Sequence, residues 1–245
     1  MLEVALAALV LLKAVDVALI GPRLLAPALA VALTGLLVLG SVTVLAVPFV
    51  ERRLSASRRG SDIGRARLAP TGTRPARIAQ LGWLLIAAAV AVMLAGPLYR
   101  NHVFFLAWVT VILALFGDRA HRRLLLTTHL SVVYTFAAIT KLNPLWLSGE
   151  SLASWGARLF GVSVIAAAIA TVVVEAVLAV AVWRPNRGVV VIATGMHLAF
   201  IVGVAGGPYS LLRLVVFNGA SIALWWALWR ERQRNADPVL APLRR

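Results

Sequence analysis

Apolar runs long enough to cross a lipid bilayer recur along the whole 245-residue chain, and they restrict its fold more than any other feature. A transmembrane helix needs about 20 mostly apolar residues, and backbone in contact with lipid must satisfy its own hydrogen bonds. Eight segments meet this need, at about 3–21, 25–50, 81–99, 102–117, 125–142, 162–183, 188–206 and 211–229. The sequence therefore predicts an all-α, polytopic integral membrane helical bundle of about eight transmembrane helices, forming a single transmembrane domain over residues 1–245.

The composition agrees with a membrane domain and excludes several other classes. Hydrophobic residues make up 61% of the chain and charged residues only 13%, whereas about a quarter of the residues in soluble domains are charged. The net charge of +15 comes from arginines between the apolar runs, so we expect membrane lipids as partners and no nucleic acid. Because the chain has no cysteine, disulfides, thiolate metal sites and thiol redox chemistry are excluded.

The arginines also predict the orientation in the membrane. With the N-terminus inside, the segments 51–80, 118–124, 184–187 and 230–245 are cytoplasmic and hold 18 arginines, against four on the opposite side. Cytoplasmic loops of membrane proteins carry such an excess of basic residues. We therefore predict a multi-pass protein of the plasma membrane (the inner membrane of a bacterial cell), with both termini and a flexible, basic 51–80 loop in the cytoplasm.

Aromatic residues indicate where the chain meets the membrane surface. The segment 143–161, on the outer side, carries several of them, including Trp146, which is typical of a re-entrant or surface helix. Trp225, Trp226 and Trp229 lie at the end of the last predicted helix. Their position predicts an aromatic belt at the inner surface.

Ionisable residues within apolar segments are costly to bury and mark candidate sites. Lys13 and Asp16 are three residues apart on one predicted helix, which favours a mutually neutralising pair. Lys141 is harder to explain, because the chain contains 22 arginines and only two lysines. Arginine stays charged in proteins, whereas a buried lysine can become a neutral base. The alternative is a lysine that extends to the outer headgroups.

Histidines and one glutamate complete the candidates. His102, beside Asn101, begins the fourth predicted helix on the outer side, where Lys141 ends the fifth, so one outer site can hold both. Glu175 and His197 have similar predicted depths in the sixth and seventh helices. This depth permits a contact between them that is either structural or part of a proton path. The histidines lack the spacing of a metal or haem motif, and we predict no metal site.

The stretch around Lys141 is similar to a known family. Tyr134, Lys141 with the following leucine, Trp146 and Gly149 resemble a motif of the vitamin K-dependent γ-carboxylases. Their bacterial relatives, the horizontally transferred transmembrane domain (HTTM) proteins, carry the same spacing. The resemblance covers roughly residues 80–220, which are therefore predicted to be the HTTM or carboxylase-like part.

Two further features resemble the same family. The pair Asn101-His102 is similar to an Asn-His pair of the carboxylases. An acidic residue in a later helix, then a basic turn and then a helix with a histidine follow in the family's order. Glu175, Arg187 and His197 occupy these places.

The resemblance implies a chemistry. In the carboxylases the matching lysine deprotonates a hydroquinone, oxygen adds, and the strongly basic product removes a proton from a glutamate side chain that then captures carbon dioxide. Transferred here, Lys141 is the general base, and His102 with Asn101 is its proton-handling or orienting partner. The other candidate site residues are Tyr134, Trp146, Glu175 and His197. The implied cofactor is a reduced vitamin K or menaquinol-type hydroquinone, and the implied activity is a carboxylase or a related oxygen-dependent modification enzyme, classed as a lyase.

The chain departs from the family in three ways. Thr140 stands where the carboxylases have a first lysine, and Asn143 stands where they have an aspartate. The large lumenal domain that binds the substrate protein has no counterpart, so we expect an extracytoplasmic partner protein or peptide substrate. The alternative function is a non-catalytic membrane accessory or immunity protein that binds quinone, lipid or a partner protein. A transporter is the third, although we find no inverted repeat.

Overall fold

The fold was obtained as a computed structural model that describes residues 2–61, 73–95, 101–154, 162–203 and 208–236. Within these ranges, the side chains of 20–24, 52–61, 73–74, 101–102, 208–211 and 235–236 are outside the description. Every regular element in the described ranges is an α-helix. The helices are α1 (Leu2–Leu24), α2 (Pro27–Ser61), α3 (Thr73–Leu94), α4 (Asn101–Leu115), α5 (Arg119–Thr140), α6 (Pro144–Leu147), α7 (Glu150–Ser154), α8 (Val164–Ala181), α9 (Arg187–Gly203) and α10 (Pro208–Ala236).

Each of the eight apolar segments found in the sequence is occupied by one long helix, so the prediction of an all-α fold is confirmed. Five helical stretches in the described residues are long and apolar enough to cross a membrane. They are Pro27–Glu51, Pro75–Leu94, Arg119–Thr140, Val164–Ala181 and Leu212–Arg234. Val103–Leu115 and Arg187–Gly203 are apolar but shorter. The described part of the protein is therefore helical, with five candidate membrane spans.

The predicted flexible loop at 51–80 is wrong at both ends, because helices occupy much of it. α2 continues to Ser61, and α3 begins at Thr73. No proline falls between Glu51 and Ser61, and the arginines, leucine and alanine there are good helix formers. Pro75 lies in the first turn of α3, where a missing N–H is tolerated. Residues 62–72 lie outside the described part.

Contacts divide the chain into two compact units. The N-terminal unit is Glu3–Arg122, and the C-terminal unit comprises Met1–Leu2 and Arg123–Arg245. In the N-terminal unit, α2 packs against α3 and α3 against α4. Glycines allow the first of these contacts. A Cβ built on Gly40 would lie 2.7 Å from the carbonyl oxygen of Gly82, and one built on Gly82 would lie 2.8 Å from that of Gly40. Small residues let membrane helices approach to backbone contact in this way.

The predicted pair of Lys13 and Asp16 is confirmed in the same unit. The Lys13 ammonium donates to the Asp16 carboxylate one helical turn away, and both side chains are buried. A local pair of opposite charges lowers the cost of placing either one in an apolar environment. The aromatic segment after α5 is also helical in part, as α6 and α7, while residues 155–161 lie outside the description.

Polar contacts close the junction between α4 and α5. Arg122 donates to the carbonyl oxygens of Phe116 and Leu113 and to Glu3 Oε1, the last at 2.6 Å. Asp118 precedes α5 and accepts from the backbone N–H of His121 at 2.9 Å. This hydrogen bond, together with one from the His121 ring, lowers the pKa of Asp118, whose side chain is exposed. The first turn of α5 is thus capped by a carboxylate.

Candidate functional site

The site lies in the C-terminal unit and begins with the turn that follows α5. Asn143 has extended backbone and caps α6, since its Oδ1 accepts from the backbone N–H of Trp146 at 3.0 Å. Pro144 occupies the first position of α6, where its fixed φ suits a helix start. Asn143 therefore has a local structural role at the position where the carboxylases have aspartate, and either residue can cap a helix.

Gly149 ends this turn in a conformation that favours glycine. Its φ is +80°, and a Cβ there would lie 2.5 Å from Cγ1 of Val164 at the start of α8. Left-handed backbone is open to glycine and strained for most other residues. The chain consequently packs α6 and α7 tightly against the beginning of α8.

Trp146 is fixed by this packing. Its side chain is buried with Leu152 and Ala168, and its Nε1 donates to the carbonyl oxygen of Ala168 at 3.1 Å. The Lys141 ammonium lies 5.0 Å from the centroid of the Trp146 ring. A cation at this distance from an indole face is attracted by the quadrupole of the ring.

Lys141 also forms an ion pair with Glu175 of α8. Its Nζ lies 2.5 Å from Oε1 and 2.6 Å from Oε2, so the amine contacts both carboxylate oxygens. The side chains of Lys141 and Glu175 are only 17% and 7% exposed. The predicted alternative, a lysine extended to the headgroups, does not describe this geometry, because Lys141 is directed to a carboxylate of the neighbouring helix.

A second polar cluster joins α5, α9 and α10. Tyr134 Oη lies 2.6 Å from His197 Nε2, and His197 Nδ1 lies 2.6 Å from Asn218 Oδ1. Trp225 Nε1 donates to Tyr134 Oη at 2.7 Å. All four side chains are at most 3% exposed. We refer to Tyr134, His197, Asn218 and Trp225 as the tyrosine cluster.

The donors in the tyrosine cluster fix the positions of its protons. The Asn218 amide nitrogen donates to the carbonyl oxygen of Leu214 at 2.8 Å, so its oxygen faces His197 and requires a proton on Nδ1. In a neutral imidazole, Nε2 is then an acceptor. The indole of Trp225 can only donate, so the Tyr134 hydroxyl accepts from it and donates to Nε2. Each group in the chain of hydrogen bonds is satisfied in this single arrangement.

The two clusters are parts of one region. Tyr134 and Lys141 are seven residues apart on and just after α5, so they share a helix face and are separated by about 10 Å along its axis. The similar depth of Glu175 and His197 allowed a direct contact, but the two residues have separate partners. Glu175 binds Lys141, and both ring nitrogens of His197 bind Tyr134 and Asn218.

Five of the predicted site residues are thus brought together, and two are outside the description. The five are Tyr134, Lys141, Trp146, Glu175 and His197. Asn101 and His102 begin α4 in the N-terminal unit, but their side chains lie outside the described part.

Sequence reasoning missed Asn218 and misplaced Trp225. Trp225 was assigned to an aromatic belt, yet its ring is fully buried. Asn218 is the one asparagine within the last predicted helix. Because a lone amide in an apolar helix needs a partner, this residue was the available signal.

Among the described residues, no group of three or more histidines, cysteines, aspartates or glutamates could hold a metal ion. The chain matches no protein-family model, no curated protein and no solved structure. Fold and site together define a helical protein whose described residues include five candidate membrane spans. It carries a largely buried ion pair whose ammonium contacts an indole ring, and a tyrosine cluster whose hydrogen bonds are all satisfied.

Proposed function

We propose that this chain is a multi-pass membrane enzyme of the HTTM type, related to the vitamin K-dependent γ-carboxylases, with Lys141 and Glu175 as its acid–base centre. The observation that carries the proposal is the Lys141–Glu175 ion pair, whose ammonium lies over the ring of Trp146. Buried ion pairs are weak contributors to stability, because desolvation of both charges offsets their attraction. Ionisable groups inside apolar helices are therefore functional candidates by default.

The proposed reaction begins with removal of a proton from a lipid-soluble hydroquinone, such as a menaquinol or reduced vitamin K. The amine at Lys141 and the carboxylate at Glu175 supply one donor and one acceptor within 2.6 Å of each other. The indole of Trp146, held by Ala168, fixes the ammonium of Lys141, which lies over its ring. The resemblance further implies a proton-handling or orienting role for Asn101 and His102, and an extracytoplasmic protein or peptide as the source of the group that is modified.

The direct test is oxygen-dependent consumption of quinol by the purified full-length protein. Lys141→Ala should lower the rate by about 10²–10⁴-fold, the usual range for loss of an acid–base group. Lys13→Ala is the matched control, because it removes the other lysine and its buried partner contact. Equal rates in the native protein and Lys141→Ala, with both folded, would refute the proposal.

The proposed topology has eight spans, with α1, α4 and α9 crossing in addition to the five apolar spans. Both termini and the 51–80 segment then lie in the cytoplasm, and the turn after α5 lies outside. The excess of arginine at 51–80, 118–124, 184–187 and 230–245 supports this orientation. The natural absence of cysteine permits a clean test by single substitutions. In intact cells, a membrane-impermeant maleimide should label Ser163→Cys and leave Ser57→Cys unlabelled, and the reverse pattern would overturn the orientation.

A non-catalytic accessory or immunity protein is the second candidate, and one observation favours it. The Lys141 ammonium has its partners within the protein, namely two carboxylate oxygens and an indole face. A purely structural pair can be replaced by apolar residues of similar volume with little loss of stability. If the pair is structural, Lys141→Met combined with Glu175→Met should therefore retain the melting temperature of the native protein, which itself consumes no quinol. If the pair is the acid–base centre, the double substitution should abolish quinol consumption.

A further inference from the structure

The contacts of Lys141 determine which member of the pair can accept a proton. An ammonium group has three N–H donors and no lone pair. Its contacts to both oxygens of Glu175 direct donors at the carboxylate, and its position 5.0 Å from the Trp146 centroid adds an interaction that only a cation gains. In this arrangement the basic lone pairs of the ion pair belong to Glu175.

We propose that Glu175 is the proton acceptor of the site and that Lys141 is the positive charge that stabilises the resulting oxyanion, the substrate being a lipid-soluble phenol. This inference rests on the proposed function and exchanges the roles that the family resemblance implies. When a phenolic hydroxyl replaces one of the contacts between the two side chains, Glu175 accepts its proton and becomes a neutral carboxylic acid. The phenolic O–H bond breaks, a carboxyl O–H bond forms, and no electron is transferred.

Charge conservation favours this assignment in a buried site. Before the transfer, the site contains one ammonium and one carboxylate, and afterwards it contains the same ammonium and one phenolic oxyanion. The number of buried charges is unchanged, and the new anion has a counter-charge already in place. Fixed charges aimed at a developing anion stabilise it without reorganisation.

If Lys141 were the base, the same products would form from a different protonation state of the ion pair. The proton of the ammonium would first pass to Glu175, and the neutral amine would then deprotonate the phenol. Substitution separates the two routes. Arginine remains charged in proteins, so Lys141→Arg retains the counter-charge but cannot serve as a base. Glu175→Gln retains an oxygen that can accept from Lys141 but no longer takes up a proton.

The experiment measures the proton that Glu175 takes up when an ionised phenol binds, independently of turnover. The probe is an alkyl-chain nitrophenol, added in its ionised form to full-length protein in weakly buffered detergent, and a pH indicator reports proton uptake. We expect binding to take up a proton in the native protein and in Lys141→Arg, and to take up none in Glu175→Gln, where the ammonium pairs with the phenolate directly. Asp16→Asn and Lys13→Arg are matched controls at the other buried lysine–carboxylate pair, and both should behave as the native protein does. Elution in size-exclusion chromatography verifies the fold of each variant.

Proton uptake on binding to folded Glu175→Gln, or its absence in the native protein, would overturn the assignment. Loss of proton uptake in folded Lys141→Arg would overturn the role of Lys141 as a counter-charge. The proposed function fails separately. Proton uptake that depends on Glu175, without any quinol consumption, would support this inference and refute the enzyme. Quinol consumption that requires Lys141 but survives in Glu175→Gln would support the enzyme and refute this inference.

Discussion

The contact between Gly40 and Gly82 leads to a quantitative prediction about the packing of α2 on α3. In Gly40→Ala, the new methyl group would lie 2.7 Å from the Gly82 carbonyl oxygen and 2.7 Å from Cγ1 of Ile86, whereas ordinary contacts are 3.4–4 Å. The two helices must therefore separate by about 0.7 Å or more at this point, since a backbone atom cannot rotate away. Overpacking of this kind typically costs about 1–3 kcal/mol.

Gly35 provides the control, because it lies on the same helix with nothing within 4 Å of a Cβ. Both substitutions gain the same helix propensity of about 1 kcal/mol, so their difference isolates the steric contact. With about 2–4 °C per kcal/mol for a chain of this size, Gly40→Ala should melt roughly 2–12 °C below Gly35→Ala. The assay is thermal denaturation of the purified protein in detergent, followed by size-exclusion chromatography. A Gly40→Ala protein that melts at or above Gly35→Ala would show that the helices do not approach as closely as described.

Three further predictions concern the remaining structure. Gly149→Ala should destabilise the protein by about 1–3 kcal/mol, because it combines a strained left-handed φ with a clash against Val164. Gly195→Ala is the control and should not destabilise it, because the space around its Cβ is open. Equal melting temperatures of the two variants would contradict the turn geometry. Tyr134→Phe should cost about 1–3 kcal/mol, because removal of its hydroxyl leaves a buried indole N–H and a ring nitrogen unpaired; an unchanged melting temperature would refute the tyrosine cluster. The pKa of Asp118 is lowered in the folded state, so its contribution to stability should be present above its unfolded pKa and lost as the pH falls through the folded value; chemical denaturation of the native protein and Asp118→Asn should converge at low pH, and a constant difference would exclude the cap.

The positions of the long helices were predictable because an apolar run of about 20 residues must satisfy its backbone hydrogen bonds as a helix in lipid. All eight apolar segments became helices, and errors arose where polarity was mistaken for irregular structure. Residues 51–61 are basic and polar, yet they extend α2 because arginine and alanine favour helix and no proline interrupts it. The composition indicates where a helix leaves the apolar environment. The helix itself ends only where a residue such as proline interrupts its backbone hydrogen bonds.

The candidate site was predictable residue by residue but not contact by contact. Lys141 stood out because arginine serves elsewhere in the chain, and Glu175 and His197 stood out because of their depth. Depth along a helix follows from the sequence, whereas rotation of the helix and the identity of its neighbour do not. Glu175 was therefore matched by depth with His197 and is instead bound by Lys141, which lies 34 residues away. Trp225 was misplaced for a related reason, since a tryptophan near a helix end is equally suited to an interface or a buried hydrogen bond.

The two lysines of the chain differ in where their carboxylate partners lie. Lys13 and Asp16 neutralise each other within one turn of α1, so the helix carries both charges into an apolar environment as a pair. Lys141 and Glu175 belong to different helical segments, and each is an uncompensated charge until the two segments meet. A carboxylate in the middle of α8 is thus costly at every stage before assembly, and the assembled pair gains little over an apolar contact. Local neutralisation accounts for the pair at 13 and 16, whereas for the pair at 141 and 175 we propose an acid–base role.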